Sequence, residues 1–179
     1  MKSSIRWGTT SGLVLLLVLN AIARVPTAAS AASAGEQIVM LVPTIPGSST
    51  LVGHAGWIDV SSFAGSAVAP TSVSAGQPCQ MVVQKPLDIA SPHLWVATVT
   101  AQTFRTIRIQ VIEPSTTGGK PFVLYDIQLD HAQFTSIGDS GSNALPVESV
   151  TFKAANVTLT FNEQNPNGTS TPITTSFTC

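Results

Sequence analysis

The stretch from Lys85 to Ile112, KPLDIASPHLWVATVTAQTFRTIRIQVI, constrains the fold most. It reads as a strand end, a capped short helix and then a strand of alternating character. Ser91 and Pro92 mark the helix start. A serine oxygen accepts from the free amides of a first turn, and proline at the first helical position sacrifices no hydrogen bond. Leu94 to Ala101 has room for about two turns before Gln102 and Thr103. Phe104, Ile107, Ile109, Val111 and Ile112 then form a β run, with Arg105, Thr106, Arg108 and Gln110 interleaved.

The rest of the chain is strands and turns. Gln37 to Val42 is a short strand stopped by Pro43 and by the turn Ile45 to Ser49. Trp57 to Val60 is the next strand, and Gly65 to Pro78 reads as a small-residue loop. Cys79 to Gln84 is a strand. Pro114 to Pro121 reads as a hairpin connection in which Gly118 and Gly119 supply positive φ. In Phe122 to Leu129, Val123, Tyr125, Ile127 and Leu129 share one face, against Asp126, Gln128 and Asp130. Residues 131–137 extend or bend this strand. Gly138 to Pro146 is read as a polar loop. Val147 to Lys153 alternates, Asn156 to Phe161 is the last clear strand, and a polar tail runs to Cys179. Strands at this spacing with one brief helix predict an all-β, mainly antiparallel domain: a small barrel or sandwich with one short flanking α-helix.

Residues 1–34 have the layout of a secretory signal peptide. Lys2 and Arg6 give a positive start, Leu13 to Ile22 an apolar run, and Ala29-Ser30-Ala31 and Ala32-Ser33-Ala34 two candidate cleavage sites. The alternative is a membrane anchor, but the apolar run falls short of the roughly 20 residues a span needs. Cleavage after Ala34 leaves one domain, residues 35–179, secreted or periplasmic, with no stable membrane insertion. Three of eight basic residues (Lys2, Arg6, Arg24) leave with the leader and all nine acidic residues stay, so the domain is net acidic. Its few basic residues are scattered and form no stripe for a phosphate backbone, which argues against nucleic acid. In an oxidising compartment the two cysteines, Cys79 and Cys179, are expected to form one bridge, with free thiols or an intermolecular bond as the alternatives. Neither has a nearby His or Cys, which argues against a metal or nucleophile role.

One helix-turn pattern and four segments carry a resemblance. The Asp88–Ser91-Pro92–Leu94–Ala97 pattern between two strands resembles the haemolysin-coregulated protein (Hcp) family, the tube protein of type VI secretion. Gly53 to Phe63 resembles the family's second-strand segment, and Val82 to Pro92 the entry to its only helix. Phe122 to Leu129 resembles its central Y-x-I-x-L strand. Pro146 to Phe152 resembles the E-x-V-x-F strand before its last hairpin. The resemblance covers roughly residues 38–161. The resemblance implies a compact β-barrel with one flanking helix, hexameric rings that stack into a tube, a lumen for small secreted effector proteins, a bacterial source, and no catalytic residue. Two features depart from the family. The leader implies export before assembly, and a tail bridged through Cys179 could cap the ring contacts. The alternative function is a monomeric exported β-domain that binds a ligand or an envelope component.

Other constellations give weaker readings. Gly138-Asp139-Ser140-Gly141 matches the nucleophile loop of trypsin-like proteases, and His54, Asp88 and Ser140 follow that family's chain order. The chain is too short for two barrels, and only 39 residues follow Ser140. A serine hydrolase is therefore the weakest alternative and a polar turn the simpler reading. His54, His93 and His131 lack ligand spacing, even with Asp130. Asp126 and Asp130 lie about 13 Å apart by strand rise, too far for an acid–base pair, and fit a solvated or lumen-facing side. Trp57 and Trp95 are read as core or interface residues, with sugar stacking as the alternative. Asn156 and Asn167 head glycosylation sequons that matter only in a eukaryote. No catalytic residue, cofactor or metal is expected.

Overall fold

A computed structural model describes residues 35–67, 79–113, 121–141, 145–165 and 169–179. The leader, most of the Gly65–Pro78 loop and most of the Pro114–Pro121 connection lie outside these residues. The described residues fall in one compact unit, Ala32–Cys179. The elements are β1 (Gln37–Leu41), β2 (Ile58–Val60), β3 (Ser62–Ser66), β4 (Cys79–Pro86), α1 (Ser91–Val99), β5 (Thr103–Glu113), β6 (Phe122–Ser140), β7 (Val147–Ala154), β8 (Asn156–Gln164) and β9 (Ser170–Thr178).

Every strand pairing is antiparallel. The path runs β2-β1-β5-β6-β7-β4-β3. β2 passes directly into β3 through Ser61, whose N–H donates to the Gln84 carbonyl at 2.7 Å. The path therefore closes on itself, and the sheet is a barrel rather than a sandwich. Closure through Ser61 leaves that path without a terminal strand, although β3 itself pairs with β4 alone among the described residues. The β8–β9 hairpin is attached outside it, through β6.

β6 is the spine of the molecule. Its first half pairs with β8 and its second half with β7, while β5 runs along its other side. The two halves turn opposite parities inward. Ile127 and Leu129 are buried before His131, and Ala132 and Phe134 after it. His131 takes a positive φ of 52°, which breaks the two-residue alternation and turns the strand. The same switch occurs across the neighbours. In β5 the buried set passes from Phe104 to Ile107 and Ile109; along β7–β8 it passes from Val150, Phe152 and Ala154 to Val157. Ala155 sits at that switch, donating to Asp130 O at 3.0 Å and accepting from Cys179 N at 2.8 Å. One crease thus crosses three strands and divides the barrel from the β8–β9 wing.

The core fills the barrel. Phe134 packs edge-on against Phe104 and Phe152, with centroids 5.4 and 5.5 Å apart. Each such side chain contributes about 1.5–3 kcal/mol through burial. α1 lies against β6 and buries Ser91, Leu94 and Ala97, three positions on one helical face. Among the described residues no helix is long and apolar enough to cross a membrane.

Three local expectations need correction. Ser91 is not the helix cap: Ala90 holds that position with no side-chain cap bond, and Ser91 turns its hydroxyl into the interior. Gly138 to Ser140 is strand, because β6 runs on to pair with β7 as far as Ser140↔Val147. The tail after Phe161 is also strand: β8 continues to Gln164 and β9 folds back on it in register from Asn156↔Thr178 to Gln164↔Ser170.

Candidate assembly surface

The outer surface is set by a buried polar joint. Cys79, Met81, Val83 and Lys85 all point inward from β4, and Glu148, Val150, Phe152 and Ala154 all point inward from β7. Lys85 and Glu148 are register partners, and both side chains are fully buried. Lys85 Nζ donates to Glu148 Oε2 at 2.9 Å, to Ser91 Oγ at 3.0 Å and to Pro86 O at 2.8 Å. It also pairs with Asp88 Oδ1 at 2.8 Å. Ser91 Oγ donates to Glu148 Oε2 at 3.1 Å and accepts from the Asp88 N–H at the same distance. Asp88 Oδ1 accepts from Ala90 N, so Asp88 braces the turn that opens α1. Glu148 Oε1 is buried with no hydrogen-bond partner. The joint fixes the β4–α1 turn to β7 and thereby orients α1.

Apart from His93, the outward face of α1 is apolar. Val99 is 75% exposed, Val96 59% and Trp95 40%, and Ile89 in the preceding turn is 60%. No acidic residue occupies the first turn and no basic residue the last. Water-facing apolar groups clustered on an uncharged helix mark an interaction face.

The β8–β9 wing presents two different sides. Its outer side is polar and continues onto β5 and β6. There Arg108 pairs with Asp126, and Thr106 donates to Asp130 at 2.8 Å. Thr158 bonds Ser176 at 2.9 Å, and Thr160 bonds Thr174 at 3.0 Å. Its inner side overhangs a cleft of about 290 Å³ lined by Phe63, Met81, Tyr125, Ile127, Leu159 and Phe177. Burial in this apolar wall raises the Tyr125 phenol above its ordinary value. The wing is tied at its base, where a disulfide joins Cys79 to Cys179 across a Cα–Cα distance of 5.3 Å.

The tempting constellations disperse. His54 Nε2 meets Gln110 Oε1 at 2.7 Å, with Trp57 edge-on to its ring. Asp88 belongs to the Lys85 joint. Ser140 donates weakly to Val147 O at 3.3 Å on an exposed strand end. Among the described residues no hydrogen bond joins any two of the three. His93 lies exposed on α1, and His131 is exposed at the crease. Among the described residues no group of three His, Cys, Asp or Glu is placed to hold a metal ion. Trp57 is half-buried beside His54, whereas Trp95 belongs to the α1 face. Asn156 accepts from the Thr178 hydroxyl at 3.0 Å, and Asn167 lies outside the described residues.

Sequence reading missed the Lys85–Glu148 pairing and β9. The first had a signal, because both charges sit on the buried parity of their strands. The second had little, because every residue of β9 is exposed.

The sequence model of the family described as "Type VI secretion system effector, Hcp" matches residues 36–161. The chain belongs to the Hcp family. That span nearly coincides with the expected extent of the resemblance, residues 38–161, and it ends inside β8, so β9 lies beyond it. Solved Hcp structures share the fold. Hcp1 from Salmonella typhimurium matches at TM-score 0.66 and 17% identity, covering 80% of this chain and 94% of that one. A structure described as a type six secretion system protein matches at 0.66 and 23% identity, with 79% and 94% covered. A type VI secretion system effector from Yersinia pestis matches at 0.64 and 17% identity, with 79% and 99% covered. A comparison with curated protein sequences finds no significant match. Hcp proteins are structural tube proteins and not enzymes.

Proposed function

We propose that this Hcp-family chain is exported by its leader, residues 1–34, and works by self-assembly into a hexameric ring that stacks or holds small protein cargo. The observation that carries this reading is the α1 face: exposed, apolar and uncharged, on a helix locked in place by the Lys85 joint. A ring needs a heterologous contact that closes, and such a face supplies one half of it. The polar side around Asp126, Gln128 and Asp130 suits a wet lumen. In an oxidising compartment the Cys79–Cys179 bridge holds the wing closed. The test is light scattering on the exported protein. A mass about six times that of the monomer is expected, and Val96→Asp should break it. A monomer at high concentration refutes the ring.

A second reading, a monomeric exported binding domain, is favoured by one observation: β9 lies beyond the family match and occupies the β8 edge. The same light-scattering measurement decides between the two.

A further inference from the structure

The disulfide sits where two strands meet end to end. β4 pairs with β7 starting at Cys79↔Ala154, and β9 pairs with β8 ending at Thr178↔Asn156. β7 and β8 follow one another through Ala155 along β6, so β9 and β4 line the same side of this long strand. Cys179 closes the gap between them, and its N–H donates to Ala155 O. The bridge therefore splices the end of β9 onto the start of β4.

β9 has little else to hold it. Among the described residues it pairs only with β8, and all nine of its residues are exposed. Its side-chain ties to β8 are exposed hydroxyl contacts: Thr158 with Ser176, Thr160 with Thr174 and Thr178 with Asn156. Exposed cross-strand pairs contribute little each. Beneath it, β8 has an apolar side of Val157, Leu159 and Phe161, faced by Phe177 and Ile173 in register. An uncovered β8 edge would be a template for another strand.

We propose that β9 is an exchangeable strand latched by the Cys79–Cys179 bridge, and that the partner fitted to the opened β8 edge is β9 of a second copy of this chain. A second copy offers the same nine-residue register, so no new complementarity has to arise. Opening needs a dithiol reductant. One thiolate of the reductant attacks the more accessible Cys179 sulfur, and Cys79 leaves as a thiolate. The reductant's second thiol then displaces Cys179. The reductant ends as a disulfide and the protein as two thiols. Reoxidation by a small-molecule disulfide, itself reduced to two thiols, can join Cys179 of one copy to Cys79 of the next.

The test uses the full exported protein. It is reduced natively with dithiothreitol and followed by hydrogen exchange, then reoxidised with oxidised glutathione at high protein concentration and run on a denaturing, non-reducing gel. On reduction, the amides of residues 170–178 other than Pro172 should lose protection at least tenfold while β5 and β6 keep theirs. On reoxidation, covalent dimers and higher species should form, and Cys179→Ser protein should give no such ladder. Denaturation removes any ring contact, so the gel reads exchange independently of a hexamer. Unchanged protection of β9 overturns the latch. Loss spread equally through β5 and β6 overturns it too, since the bridge would then hold the whole barrel. Reoxidation to monomers alone at every concentration overturns strand exchange.

Discussion

Replacing Lys85 by methionine tests whether the barrel and α1 are held together by the buried joint. Methionine keeps most of the side-chain length and its apolar packing, so the change removes the ammonium and little else. Glu148 Oε2, Ser91 Oγ and Pro86 O each lose the ammonium as a donor, and Glu148 Oε2 keeps only the Ser91 hydroxyl. Asp88 also loses its ion pair. Asp88 lies near the surface and can rehydrate, but the Glu148 side chain is fully buried and cannot. Leaving one member of a buried pair uncompensated costs about 3–5 kcal/mol. For a domain of this size that corresponds to a Tm lower by roughly 10 °C. Urea and thermal unfolding of the oxidised protein measure it. The control is Lys85→Met with Glu148→Met, which removes both charges from the interior. If the cost is that of an orphaned carboxylate, the double variant should recover much of the loss, with a coupling of about 1.5–3 kcal/mol. A single variant less than about 1 kcal/mol below wild type would refute the reasoning, as would a double variant whose losses simply add.

Other consequences are equally direct. Gly47 is buried, and a Cβ there would meet the Trp57 carbonyl and Ile58 Cα, both backbone, so neither can swing aside. Gly47→Ala should therefore cost about 1–3 kcal/mol in urea unfolding. Tyr125 is the chain's single tyrosine, so its phenolate absorbance reads one group, and the midpoint should lie above 10. The folded state then holds its proton after the unfolded state has lost it. Stability from this group is full below pH 10 and falls as pH rises beyond it, and Tyr125→Phe should remove that part of the slope. Replacing both Cys79 and Cys179 by serine opens a loop with a sequence separation of 100. The loss, read as a lower urea midpoint against the oxidised protein, should fall well short of the roughly 4–5 kcal/mol that chain entropy alone gives for such a loop, because β9 is then freed in the folded state as well.

Where burial imposed a period, the elements could be read from residues alone. The alternation of Ile107 and Ile109 in β5 and of Ile127 and Leu129 in β6 marks strands whose inner face is core. Pro92 marks the helix start in the sequence, although the cap is Ala90 and not Ser91. Ser91 is drawn inward by Lys85 and Glu148, so Asp88 and Ala90 start the helix instead. That pairing depends on which strands become neighbours, which local pattern does not state. Yet parity alone places Lys85 in line with Met81 and Val83, and Glu148 in line with Val150 and Phe152. Two opposite charges on core parities, in strands with no other way to satisfy them, have to meet.

β9 shows the converse. Periodicity in a strand is the imprint of a buried face, and β9 buries none of its residues. Its Ser, Thr and Pro composition therefore reads as a tail, and Pro172 adds to that impression. Proline is nevertheless tolerated in an edge strand, where a missing N–H can face solvent. What makes β9 a strand is the β8 edge beside it and the bridge at its end, and both lie outside its own sequence. The crease at His131 and Ala155 explains why the edge exists. Among the described residues β4 pairs with β7 up to Ala154 and β9 alone pairs with that side of β8. The family match ends on that strand. β9 covers the edge, and Cys179 reaches back to the first residue of β4 to secure it.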